Sequence, residues 1–90
     1  MKAIITVIGK DKVGIIAKVS DACARFEANI RDISQTVLHE YFSMIMLVEM
    51  NDSASVGFIE FSDALTLLGE ENNIDIRAMH EDIFNAMHRI

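Results

Sequence analysis

The spacing of apolar positions changes period along the chain, and each change predicts an element. From Ala3 to Ile8 the residues are apolar and partly β-branched, as in a buried strand over residues 2–8. Beyond it, apolar residues recur at Ile15, Ile16, Val19, Ala22, Cys23 and Phe26. That is the stripe of an amphipathic helix over residues 13–27, with Lys18, Asp21 and Arg25 off the stripe. Glu27, Ala28 and Asn29 are expected to end it, with Asn29 able to take the left-handed turn. Residues 30–38 then alternate but are half apolar on either face, which predicts an edge strand. Residues 42–50 are almost all apolar and predict a central one. A turn at His39, Glu40 and Tyr41 joins the two.

A two-residue hairpin loop pairs odd positions of strand two with even positions of strand three. Ile33, Val37, Met44, Met46 and Val48 then share the expected core face. Ser34, Thr36, Leu38, Ser43, Ile45, Leu47 and Glu49 share the other, where Ile45 and Leu47 need cover. A polar loop over 51–56 offers Ser53 or Ser55 as a cap for a helix over 57–71, whose stripe is Phe58, Phe61, Ala64, Leu65 and Leu68. Asn72 and Asn73 are a stop signal. Residues 74–80 alternate as a fourth strand. Residues 81–90 read as a short helix carrying Ile83, Phe84, Met87 and Ile90, with Glu81 and Asp82 at its positive end.

The order is βαββαβ plus a C-terminal helix. It predicts an α+β, ferredoxin-like sandwich: a four-stranded antiparallel sheet, strands one and three in the middle, two helices on one face and the other face open. Ninety residues suit one domain, a core over 1–80 and a helix over 81–90. A chain this short has a thin core, yet 51% of its residues are apolar, so part of that surface is expected to meet a partner.

Charge and composition narrow the function. A net charge of -6 argues against nucleic-acid binding. The apolar runs are too short to span a membrane, and no secretory leader opens the chain. A single cysteine fits a reducing cytoplasm. The methionines Met44, Met46 and Met50 read as core rather than as a copper site, and Cys23 as a buried small hydrophobe. His39, His80 and His88 lack ligand spacing, so no metal is expected. No nucleophile–base pair is visible and no cofactor is implied, so the chain is not expected to be an enzyme. The Gly-rich phosphate loop of acylphosphatases, which share this topology, is missing. An RNA-binding sheet of this topology would need displayed aromatics on its central strands.

The stretch with chemistry is the loop between strand one and helix one. Asp11 is a candidate N-cap, and Gly9 and Gly14 permit unusual dihedrals or close approach. First-turn amides beside a glycine suit a carboxylate or small anion. Gly14 reads equally as a site of close packing, Asp11 as a plain cap and Asn29 as a plain helix stop.

The run Gly9-Lys10-Asp11-Lys12-Val13-Gly14-Ile15-Ile16-Ala17, followed by Ala28-Asn29-Ile30-Arg31-Asp32-Ile33, resembles an ACT domain. Ala28 stands where many members have Gly, and Val13 where many have Pro. Residues 32–37 and the tail 80–90 are similar to stand-alone, single-ACT-domain bacterial and archaeal proteins of the UPF0237 type, themselves similar to the ACT part of glycine-cleavage regulators. The resemblance implies regulatory binding of a small molecule, often an amino acid, between two ACT units. The matching positions are Asp11, Lys12, Val13, Gly14 and Ile15 from one subunit and Asn29, Ile30 and Arg31 from its neighbour. It implies a homodimer or higher homo-oligomer and a regulated protein partner. The alternatives are a protein–protein adaptor without ligand and, behind it, a small acylphosphatase-like enzyme.

Overall fold

The computed structural model describes residues 1–10, 14–51 and 55–87, and only the backbone of Ser55 and Val56. The elements are β1 (Lys2–Lys10), α1 (Ile15–Arg25), β2 (Asn29–Leu38), β3 (Tyr41–Glu49), α2 (Ser55–Asn72), β4 (Asp75–His80) and α3 (Glu81–Met87). All four strands form one antiparallel sheet in the order β2-β3-β1-β4. The apolar runs β1 and β3 are therefore central and half-polar β2 lies at an edge, as their patterns predict.

Alternation along each strand sorts the residues between faces. Ala3, Ile5 and Val7 of β1 and Phe42, Met44, Met46 and Val48 of β3 are buried beneath the helices. Helix α1 adds Val19, Ala22 and Cys23, and α2 adds Phe61 and Leu65. Phe26 and Phe61 join the helices, ring centroids 5.5 Å apart. Each of the large aliphatic and aromatic side chains among them contributes about 1.5–3 kcal/mol by leaving water. On the far face, α3 packs on β1 and β4 and on neither other helix. Ile4, which points to that face, is buried outside the main core cluster, so α3 shields its corner.

Both long helices end alike. At α1, Ala28 N–H donates to Cys23 C=O and Glu27 N–H to Ala24 C=O; at α2, Ile74 N–H donates to Gly69 C=O and Asn73 N–H to Glu70 C=O. Glu27 and Asn73 take positive φ, 56° and 55°. This pairing of a left-handed residue with crossed hydrogen bonds closes the last turn. The stop expected at Asn29 is thus made by Glu27, and Asn29 already belongs to β2. Asn73 fills the role its sequence predicts.

Other expectations change. Helix α1 begins at Ile15 with Gly14 as its N-cap, so Asp11 is not the cap; Asp11, Lys12 and Val13 lie outside the described residues. Ser55 is already helical rather than a cap, and Ser53 lies outside the described residues, as do residues 88–90 of the expected last helix. The hairpin turns at His39 (φ 56°) and Glu40, pairing Val37 with Phe42 and Ile33 with Met46, the odd–even register expected. A bulge between Ile30 and Asp32 then brings Ile30 opposite Val48. Ile33 and Val37 share the helix-side face but are 41% and 58% exposed, because α1 does not reach that far along β2. Ile16 of the predicted stripe is also exposed.

Candidate ligand-binding site

The first half of the candidate site is the start of α1. Gly14 has φ 86°, ψ 0°, and brings no side chain to cap the helix; its carbonyl accepts from Lys18 N–H at 3.0 Å. A Cβ built there meets no described atom within 4 Å. Gly14 is therefore required by its dihedral, and no described atom packs against the position its Cβ would take. Gly9 is the converse case, since a Cβ there lies 3.2 Å from the Ile74 side chain. Ile15 is buried and anchors the first turn in the core.

The second half is the start of β2. Asn29 is exposed, and Ile30 is half-buried against the core. Arg31 sits in the bulge and reaches Glu49, its Nη2 and Nε 2.7 and 2.9 Å from the same carboxylate oxygen. The bulge frees Arg31 from strict alternation and leaves its guanidinium at the sheet margin. Beyond it, Ile33 N–H donates to the Asp32 carboxylate at 2.9 Å.

Within one chain these halves do not meet. Asn29 pairs opposite Glu49, which also faces Lys2 at the start of β1, whereas Gly14 follows Lys10 at the other end. The 11 residues of α1 run between the two positions, about 16 Å of helix. The described cavities lie elsewhere, on the open sheet face. A groove of about 430 Å³ is lined by Ile8, Thr36, Leu38, Tyr41, Phe42 and Ser43. A hollow of about 110 Å³ lies among Asp32, Ile33, Ser34, Ile45 and Leu47. The groove was not foreseen; its signal in the sequence is the apolar pair Leu38 and Tyr41 bracketing a polar turn.

Cys23 is buried, and desolvation pushes its thiol up to about 11, partly offset by a backbone hydrogen bond. Among the described residues no three His, Cys, Asp or Glu side chains gather as a metal set would. No described helix is long and apolar enough to cross a membrane.

A βαββαβ sandwich with two helices on one face and a glycine-capped helix after its first strand defines the class: a small α+β module of the ACT type. A family model described as the ACT domain matches residues 2–78, and the chain belongs to that family. A UPF0237 protein of Clostridium acetobutylicum is 51% identical over 90 residues, covering 100% of both chains, and one of Methanopyrus kandleri is 45% identical over 99% of this chain and 98% of its own. Among solved structures, an ACT domain protein from Streptococcus pneumoniae superposes with a TM-score of 0.80 at 44% identity, covering 98% of each chain. The regulatory subunit of aspartate kinase from Thermus thermophilus matches at 0.63 and 29% identity, over 87% of this chain and 48% of that one. ACT domains are typically small-molecule regulatory modules.

Proposed function

We propose that the protein is a ligand-sensing regulatory module that acts as a homodimer and binds an amino acid where two copies meet. The observation that carries this reading is the separation of its halves: Gly14 and Ile15 lie at one end of the sheet, and Asn29, Ile30 and Arg31 at the other. A second copy supplies what one chain lacks. Two β2 edges paired antiparallel about a two-fold axis set the start of one β2 beside the end of the other. That end, Leu38, is level with Lys10, which precedes residues 11–13 and Gly14 in the chain.

The edge suits such pairing. Strand β2 has ten residues, nearly all exposed, with no Pro or Lys to guard it, whereas the opposite edge β4 has six. Exposed Ile33 and Val37 would gain cover. Helix α1, on the β2 side, carries the compensating charges Lys18, Asp21 and Arg25, while α2, on the β4 side, holds the acids. In the assembled site the first-turn amides of α1 receive the ligand carboxylate, with Asp11, Lys12 and Val13 the neighbouring residues of the sequence. The partner's Arg31 and Asn29 supply a cation and an amide. The reading gives the chain no catalytic step. Occupancy shifts the population of assembly states and is read by a protein partner.

The test is a thermal-shift screen across the standard amino acids. A ligand bound only by the folded state raises the melting temperature once its concentration exceeds its Kd. A rise with one or a few is expected. No rise with any, in a folded sample, leaves the adaptor reading.

A further inference from the structure

We infer that the groove beside the β2–β3 hairpin is a binding site for a small aromatic carboxylate without an ammonium group, separate from the amino-acid site proposed between copies. The strand register builds it from two rows of side chains. Leu38, Tyr41 and Lys10 stand abreast across β2, β3 and β1, and Thr36, Ser43 and Ile8 form the next row. Ile8, Tyr41 and Ser43 alternate with buried Val7, Phe42 and Met44, so both rows leave the open face of the sheet. Helix α3 does not cover them. It packs on β1 and β4 and on neither β2 nor β3, and the corner it shields, at Ile4, is four residues and about 13 Å back along β1.

The lining has the make-up of a small-molecule site. Its volume of about 430 Å³ lies within the ~300–1,000 Å³ such sites span, with mostly apolar walls and a few polar groups. Ile8, Leu38 and Tyr41 are 55%, 66% and 55% exposed and form the walls. The rows are two residues apart, about 6.8 Å, which is the span of one six-membered ring laid across them. The Tyr41 ring gives such a ring a stacking partner. Thr36 and Ser43 are cross-strand neighbours on the floor, and among the described residues neither hydroxyl has a hydrogen-bond partner. They are free to bond a polar substituent.

Charge selects the rest of the ligand. No charged side chain lines the groove. Lys10 flanks it, directly opposite Tyr41 with Cβ atoms about 5 Å apart, so its stem reaches the mouth. Lys10 is exposed and in no ion pair among the described residues. A carboxylate therefore finds a cation at the rim. An ammonium does not find an anion in the lining: Asp75, abreast of Ile8, is held by Arg77 at 3.1 Å, and Glu40 of the turn is not a lining residue. The occupant is thus an aryl acid rather than an amino acid. Pairing of β2 edges would extend the sheet and leave this face open, so the inference does not rest on that reading.

The chain has one tyrosine and no tryptophan, so a sample labelled only at tyrosine gives one ring signal by NMR, that of Tyr41. The experiment titrates the full chain with benzoate, cyclohexanecarboxylate and phenylalanine. Benzoate is expected to move the Tyr41 signal saturably, and the other two to bind at least about fivefold more weakly. Lys10→Gln should weaken benzoate about threefold, as loss of an exposed ion pair does, and Leu38→Asp about tenfold or more, by setting a carboxylate in the wall. Both positions are exposed, and circular dichroism checks that each variant is folded. Arg31→Ala should leave benzoate binding unchanged, which separates this site from the shared one. A Tyr41 signal that benzoate does not move, a shift that fails to saturate, binding that survives Leu38→Asp, or phenylalanine binding as tightly as benzoate would each overturn the inference.

Discussion

Arg31 spans the β2–β3 pair to grip Glu49, both guanidinium contacts falling on one carboxylate oxygen, at 2.7 and 2.9 Å. The two side chains are 54% and 36% exposed, so solvent screens the pair and its contribution to stability is under about 1 kcal/mol. Its larger role in this account is to hold a cation ready at the margin where a second chain arrives. Arg31→Ala should lower the melting temperature by only a few degrees, yet weaken binding of any amino acid found by the screen about tenfold or more, the worth of one charge-assisted hydrogen bond. Thermal unfolding with and without ligand separates the two effects. A variant that loses stability heavily and binds normally would make Arg31 a structural residue only.

Gly69 is fixed by crowding. A Cβ there would stand 2.5 Å from the backbone oxygen of Ile74, where the chain leaves α2 for β4. Alanine gains about 0.5–1 kcal/mol of helix propensity but must push β4 aside, and overpacking of this kind costs about 1–3 kcal/mol. Gly69→Ala should be destabilising by about 1–2 kcal/mol, a fall of roughly 5–15 °C for a chain of this size, read by calorimetry.

Glu27 makes the opposite case. It holds φ 56° at the end of α1, a conformation that costs an L-residue roughly 1–2 kcal/mol. Glycine relieves the cost, and its extra unfolded-state freedom returns part of the gain. Glu27→Gly should raise stability by about 0.5–1 kcal/mol and the melting temperature by a few degrees.

Cys23 links stability to alkaline pH. Burial raises its thiol in the folded state to about 11 from 9.0. Below pH 9 both states are protonated and the contribution is complete. Between pH 9 and 11 the unfolded chain releases the proton first, so stability falls, by up to about 2 kcal/mol. Denaturant titrations at pH 8 and 10.5 should show a steeper loss for the wild type than for Cys23→Ala. The same burial predicts slow modification by thiol reagents at pH 8 and rapid modification after unfolding.

The fold was legible because each strand and helix carries its own period. Apolar β1 and β3, alternating β2 and the stripe of α2 give the order, the central strands and the hairpin register. The mistakes share a cause. Whether Ile33 and Val37 are covered depends on how far α1 extends over β2, a tertiary fact with no local signal. Glu27 displaced Asn29 as the helix stop because crossed hydrogen bonds from Glu27 and Ala28 hold a residue whose own preference for that conformation is low. At the candidate site, the sequence offers two reasons for Gly14, an unusual dihedral or close packing, and its φ of 86° with no described atom within 4 Å of a built Cβ separates them. That Gly14 and Arg31 lie at opposite ends of one chain follows from register, and the need for a second copy follows from that.

The most direct test of the shared site is calorimetric titration of the screened amino acid into the wild-type chain and into a variant made monomeric by a proline in the middle of β2, folded by circular dichroism. The account predicts one ligand per chain for the associated protein and binding at least tenfold weaker by the monomer. Equal affinity in both would mean that a single chain completes the site, and would contradict it.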